Sequence, residues 1–180
     1  MLVLEELEHA RRRGARIYAE ITGFSNTSNA LHMTDLLSDG VDLARAMSDA
    51  LAQSGLASSD VDYLNAHGSS TPQNDSCETS AIKLALGEQA YKVPINSTKS
   101  MLGHALSSAS ALEVIVCALT MERGFVHPTI NYEEPDPLCD LDYVPNHGRP
   151  WEGDVILTDA SGFSGLHAAL VLRTPPGGQK

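Results

Sequence analysis

The sequence predicts an α/β fold. Short apolar runs of strand length alternate with longer segments whose apolar residues recur at helical spacing. Glycines and Ser/Asn-rich breaks mark most of the changes from one to the other. At 180 residues, 42% of them hydrophobic and 19% charged, the chain suffices for one ordinary globular domain with a fair core.

Met1-Leu2-Val3-Leu4 is apolar without alternation, the pattern of a strand buried on both faces. Glu5 to Arg13 reads as a short polar helix ending at Gly14, and Arg16 to Thr27 as a strand with Ile17, Ala19 and Ile21 on one face. Leu43, Ala46, Met47, Ala50 and Leu51 form one face of a helix over Asp42–Ser54, stopped by Gly55. Asp60–Asn65 is a strand, and Asn74 or Asp75 caps a helix that continues to Gly87. Val93–Ser97 is the next strand. The longest helical pattern runs from about His104 to Arg123, with small residues first and then Leu112, Ile115, Val116 and Leu119. A Pro/Asp-rich connection from Pro128 to Pro150 leads to two closing strands, Val155–Thr158 and Ala168–Leu172, with a turn at Ser161–Gly165. Residues 1–173 form the folded unit, and the tail 174–180 is expected to be disordered. No internal repeat or dividing linker is evident.

The net charge of −11 argues against nucleic acid as a partner. The one dense basic patch (Arg11, Arg12, Arg13, Arg16) reads first as a solvated helix end. No apolar run approaches a membrane span and the N-terminus lacks a signal-peptide layout, so no membrane contact is expected and cytoplasm is the default. Cys77, Cys117 and Cys139 are odd in number and lack metal-ligand spacing, so neither a disulfide nor a metal site is expected.

Chemistry concentrates between Asn65 and His104. Asn65-Ala66-His67-Gly68-Ser69-Ser70-Thr71-Pro72 follows one strand, and Asn96-Ser97-Thr98-Lys99-Ser100-Met101-Leu102-Gly103-His104 follows another. A single histidine after a strand is ordinarily a hydrogen-bonded structural group. Two in glycine-flanked loops, each leaving the end of an apolar strand, point to a site, because catalysis in α/β sheets collects at strand carboxyl ends. A neutral imidazole there can donate to an oxygen as negative charge develops on it, and one ring can instead position a water. Lys99 sets the local charge balance, with Glu78 as its expected ion-pair partner.

These two loops resemble those of the β-ketoacyl-acyl carrier protein synthases, and nearly the whole chain resembles the C-terminal half of a synthase of type II. Leu2 to Ala10, Arg13 to Glu20, Val126 to Asn131 and Cys139 to Pro145 are similar to the family as well. The resemblance implies a thiolase-like layered fold with mixed sheets and packed helices. It implies His67 and His104 as the catalytic pair supported by Lys99 and Glu78. Ser69 and Thr71 would contact the phosphopantetheine arm of an acyl carrier protein, and no other cofactor is implied. Ser161, Gly162 and Phe163 fall in the family's oxyanion and gate loop.

Three departures from the family pattern stand out, two in loops and the third a missing cysteine. Ser107-Ser108-Ala109-Ser110 replaces the usual Gly-Ala-Ala-Gly, and Asp159-Ala160-Ser161-Gly162-Phe163-Ser164-Gly165 replaces Asn-Ser-Phe-Gly-Phe-Gly-Gly, so the gate phenylalanine becomes Ser161. The family's nucleophilic cysteine has no counterpart among the three cysteines. The expectation is a split enzyme, inactive alone, whose N-terminal ketosynthase half on a partner chain supplies that cysteine. A second copy of the complex or a chain-length factor would complete the assembly. The reaction would be decarboxylative Claisen condensation of malonyl-carrier with an acyl thioester, in fatty acid or polyketide assembly. The alternative is part of an inactive partner subunit resembling a chain-length factor. A thiolase-like acyl transfer without decarboxylation is a third reading, opposed by the paired histidines.

Overall fold

A computed structural model describes residues 1–34 and 39–175. The expected disordered tail lies, from residue 176 onward, outside the described residues. Its first residue, Thr174, donates its N–H to the Asp154 carbonyl.

The chain runs through α1 (Leu7–Arg12), β1 (Glu20–Ser28), α2 (Val41–Ser54), β2 (Tyr63–Asn65), α3 (Asn74–Leu86), β3 (Ile95–Asn96), α4 (Lys99–Leu102), α5 (Ala109–Arg123), β4 (Phe125–Val126), β5 (Arg149–Pro150), β6 (Val155–Gly162) and β7 (Leu166–Arg173). Five strands form one mixed sheet in the order β1-β7-β6-β2-β3, antiparallel across β1/β7/β6 and parallel across β6/β2/β3. Strand alternation sends successive side chains to opposite faces, and both faces of the central strands are covered. Leu64, Leu157 and Val171 pack with Met47, Leu51, Ile82 and Leu86 of α2 and α3. Tyr63, Ile156 and Leu172 pack on the other side with Val114, Cys117 and Trp151. The result is helices, sheet and helix in three layers.

Several expected elements are corrected. Met1–Leu4 is not a strand: its backbone pairs with nothing among the described residues, and Val3 is 75% exposed. Pairing of β1 begins only at Glu20, opposite Arg173 where β7 ends, and a bulge between Ile21 and Gly23 switches its alternation, leaving Ile21 outside. A Cβ on Gly23 would lie 2.1 Å from the Ala50 carbonyl oxygen, so glycine lets β1 lie against α2. The 60–65 strand is shortened by a 3₁₀ turn at Ser58–Asp60. The 93–97 strand reduces to Ile95–Asn96.

The helix expected from His104 begins at Ala109, because Leu106 takes a left-handed φ of 49° that interrupts it. Its buried stripe is Ala109, Glu113, Cys117 and Thr120, while Leu119 is exposed. α5 is thus turned so that an acid, not the leucine stripe, meets the interior. At the start of α3 neither Asn74 nor Asp75 caps in the expected way: the Asn74 N–H is held by the Thr71 hydroxyl and carbonyl. Strand β6 continues past Thr158 to Gly162, which narrows the closing turn to Phe163–Gly165.

Candidate active site

The sheet delivers the two histidine loops side by side. Strands β2 and β3 are parallel neighbours, so the chain leaves both at the same end, with β6 ending next to β2. A buried polar ladder fixes these ends: Tyr63 donates to Asn96 Oδ1 at 2.5 Å, Asn65 Nδ2 donates to the Tyr63 hydroxyl at 3.2 Å, and Asn96 Nδ2 donates to the His127 carbonyl. Beyond the strands the loops are tied to each other. Ser97 Oγ donates to the His67 carbonyl at 3.0 Å, and Lys99 Nζ donates to the same oxygen. Gly68 sits at φ +47°, where a Cβ would approach the Ser97 Cβ to 2.5 Å. Only glycine permits that contact.

This arrangement brings the two imidazoles together, with ring centroids 5.4 Å apart and planes at 81°. His67 is buried and His104 is exposed. Burial pushes the His67 pKa down to about 3, reinforced by the positive charge of Lys99 and then by His104 and His167. His67 is therefore neutral through the physiological range. His104 Nδ1 accepts the Leu106 N–H at 3.2 Å, so the neutral His104 ring carries its proton on Nε2. An edge-to-face imidazole pair at a strand end, with His67 held neutral, can donate hydrogen bonds to an oxygen on which negative charge develops.

The carboxylates are distributed differently from expectation. Lys99 pairs with Glu113 of α5, not with Glu78; the two side chains are only 6% and 1% exposed. Glu78 instead clamps the first loop, accepting the backbone N–H of His67 at 2.7 Å, that of Gly68 at 2.9 Å, and Asn74 Nδ2 at 2.9 Å. The expected Lys99–Glu78 pair does not form: Glu78 is engaged by the loop amides, while α5 presents Glu113 to Lys99. Glu113 was not singled out in the sequence; its signal is a lone acid at i+4 spacing between Ala109 and Cys117. A third acid, Asp159 near the end of β6, is buried beside Glu78. It follows Val155-Ile156-Leu157-Thr158 within the same strand, and an acid inside a strand is its sequence signal.

A cleft of about 840 Å³ opens beside the rings, lined by Gly68, Ser69, Thr71, Lys99, His104 and Tyr143 among others. The two hydroxyls expected to meet a ligand arm therefore face it, 3.4 Å from each other. His67 is set back from the cleft wall. Ser161, Gly162 and Phe163 are not part of this cleft. Ser161 lies at the end of β6 with its hydroxyl 2.9 Å from His167 Nδ1, and Phe163 projects outward, 74% exposed. Cys77 and Cys117 are buried within helices, and burial raises both thiol pKa values. The same cause raises that of the partly exposed Cys139. None of the three has the electropositive, exposed setting of a reactive thiolate.

Residues 18–133 match the model of the β-ketoacyl synthase C-terminal domain. The chain is 53% identical over 175 residues to the tetracenomycin polyketide synthase ketoacyl synthase alpha subunit of Streptomyces glaucescens, covering 97% of this chain and 41% of that protein. Among solved structures it is similar to a type II polyketide synthase acyl-carrier protein in complex with its ketosynthase bound to the hexaketide. That likeness has a TM-score of 0.93 at 51% identity and covers 96% of this chain and 42% of that one. It is also similar to the ishigamide ketosynthase/chain length factor, with a TM-score of 0.89 at 39% identity over 94% of this chain and 41% of that one. The chain spans about two fifths of the length of the curated relatives it matches.

Proposed function

The chain belongs to the β-ketoacyl synthase C-terminal domain family, and from that premise we propose that it is the histidine-bearing half of a polyketide ketosynthase that condenses a malonyl unit with an acyl thioester. The observation that carries this reading is the pair of imidazoles, 5.4 Å apart at the end of adjacent parallel strands, with His67 held neutral.

The chemistry follows from that geometry. A malonyl thioester enters the cleft on a carrier's pantetheine arm, with Ser69 and Thr71 as hydroxyl contacts. The bond from the malonyl carbon to its carboxylate breaks, carbon dioxide leaves, and the electron pair moves toward the thioester oxygen. Donated N–H groups from His67 and His104 stabilise that enolate. The enolate carbon then attacks an acyl group held on a cysteine, and collapse of the tetrahedral adduct expels the thiolate. In the collapse the backbone N–H of Ser161 is proposed as an oxyanion donor, with Gly162 and Phe163 in the loop that controls access. Lys99 and Glu113 hold the His67 carbonyl and the local charge in place. Acyl groups arrive on phosphopantetheine, and no metal or other cofactor is needed.

The nucleophile comes from a cysteine-bearing N-terminal region of the kind that completes the relatives, on a partner chain or on a longer form of this one. An acyl carrier protein delivers the malonyl group, and a chain-length factor or second copy completes the assembly; the two similar solved structures contain a carrier protein and a chain length factor respectively. The reading as an inactive partner subunit has less support, since an inert subunit has no use for a paired set of imidazoles backed by a buried lysine. Native mass spectrometry with the cysteine-bearing region, followed by an assay of condensation, tests the reading. A complex that forms β-ketoacyl product supports it. A complex with a non-nucleophile at the cysteine position and no product would reverse the two.

A further inference from the structure

Behind His67 lies a cluster of three buried carboxyls, Glu78, Glu113 and Asp159, faced by one cation, Lys99. Lys99 is committed to Glu113. Burial raises the Glu78 pKa, but the three N–H groups it accepts pull the other way and favour its ionised form over that of Asp159, which has none. Asp159 is the odd member. It is 2% exposed, and neither of its oxygens receives an N–H or hydroxyl donor among the described residues. Its close neighbour is the Glu78 carboxyl, within hydrogen-bonding reach. Two acids in contact form a hydrogen bond only when one carries a proton, and two adjacent buried anions are not tolerated.

We propose that Asp159 is a protonated acid that donates its proton to Glu78, and that it is thereby a positioning residue for the His67 loop. The link is direct. Glu78 holds the backbone amides of His67 and Gly68, so its place fixes where the His67 ring lies against His104. Every neighbouring charge is accounted for: Glu78 on α3 and Glu113 on α5 oppose ionisation of Asp159, and Lys99 on α4 favours it. Its strand partner on β7, Ala169, carries no charge, and His67 at the end of β2 is neutral. Burial and the two neighbouring acids raise the Asp159 pKa well above its ordinary value, which favours the retained proton. Ionisation would then set two anions against each other and displace Glu78 from the loop amides.

This inference rests on the proposed condensing activity but is tested apart from it. In the complete synthase, infrared spectra of protein labelled with carbon-13 at the aspartate carboxyl should show a protonated-carboxyl band at neutral pH that Asp159→Asn removes. Asp159→Ala, which leaves the Glu78–Asp159 contact unmade, should slow malonyl decarboxylation by about ten- to a hundredfold. Asp159→Asn, with an amide N–H in place of the acid proton, should rescue the rate and abolish its alkaline decline. Absence of the band, or an unchanged alkaline limb in Asp159→Asn, would overturn the proposal. A band without any decarboxylation in the parent would defeat the functional reading and leave the shared proton standing.

Discussion

Replacing Lys99 and Glu113 singly and together tests how the buried charges are arranged. Lys99→Met leaves the Glu113 carboxylate, 1% exposed, beside two further acids with no cation. Glu113→Leu leaves Lys99 with the His67 carbonyl as its remaining side-chain partner. Removing one member of a buried pair costs about 3–5 kcal/mol, whereas replacing both by apolar groups of similar volume is often close to neutral. Each single variant should therefore lose about 3 kcal/mol or more, and the double variant should be more stable than either. Trp151, the one tryptophan and a buried one, reports urea unfolding by fluorescence. Parallel cycles with Glu78→Gln should show no comparable coupling to Lys99. The reasoning is refuted if the Lys99 and Glu113 losses add within about 0.5 kcal/mol, the behaviour of independent sites.

The remaining predictions follow from single contacts. Gly68→Ala places a methyl group 2.5 Å from the Ser97 Cβ at a left-handed φ, and should cost about 2–4 kcal/mol by thermal or urea unfolding. Gly103→Ala, at φ +75° and ψ 174° with nothing within 4 Å, should show the backbone strain alone, about 1–3 kcal/mol. His67 binds a proton in the unfolded chain near pH 6.5 but in the folded one only near pH 3. Stability from its neutral form is thus complete above pH 6.5 and falls by about 1.4 kcal/mol per unit as the pH drops toward 3. A comparison of urea midpoints against pH should show that slope reduced in His67→Gln. Alkylation of the native protein with iodoacetamide should reach Cys139 first and Cys77 and Cys117 only on unfolding; rapid labelling of Cys117 would contradict its burial.

The histidine loops were legible in the sequence because everything that defines them is local: a short apolar strand, an asparagine at its end, and a glycine beside each ring. The helix over 41–54 was legible for the same reason, since its buried face matches its apolar spacing. What the sequence hid depends on tertiary choice. The apolar spacing of α5 does not reveal its most buried residues, which include Glu113, paired with a lysine fourteen residues earlier. Glu78 holds the amides of the first histidine loop and not the expected Lys99: spacing reveals that an acid is near, not which of two donors reaches it first. Met1–Leu4 has strand composition, yet a strand exists only where its backbone pairs with a neighbour, and residues 1–4 join no strand of the sheet. The Asp159 proton could not be read from the sequence at all, since it arises from a contact between strands and helices 81 positions apart, from residue 78 to residue 159.

The central claim is that His67 and His104 act together on the malonyl group. Release of carbon dioxide from malonyl-carrier by the complete synthase, measured beside acylation of its cysteine, addresses it most directly. His67→Ala and His104→Ala should each abolish carbon dioxide release while cysteine acylation persists. Carbon dioxide release at the parental rate in either variant would contradict the account.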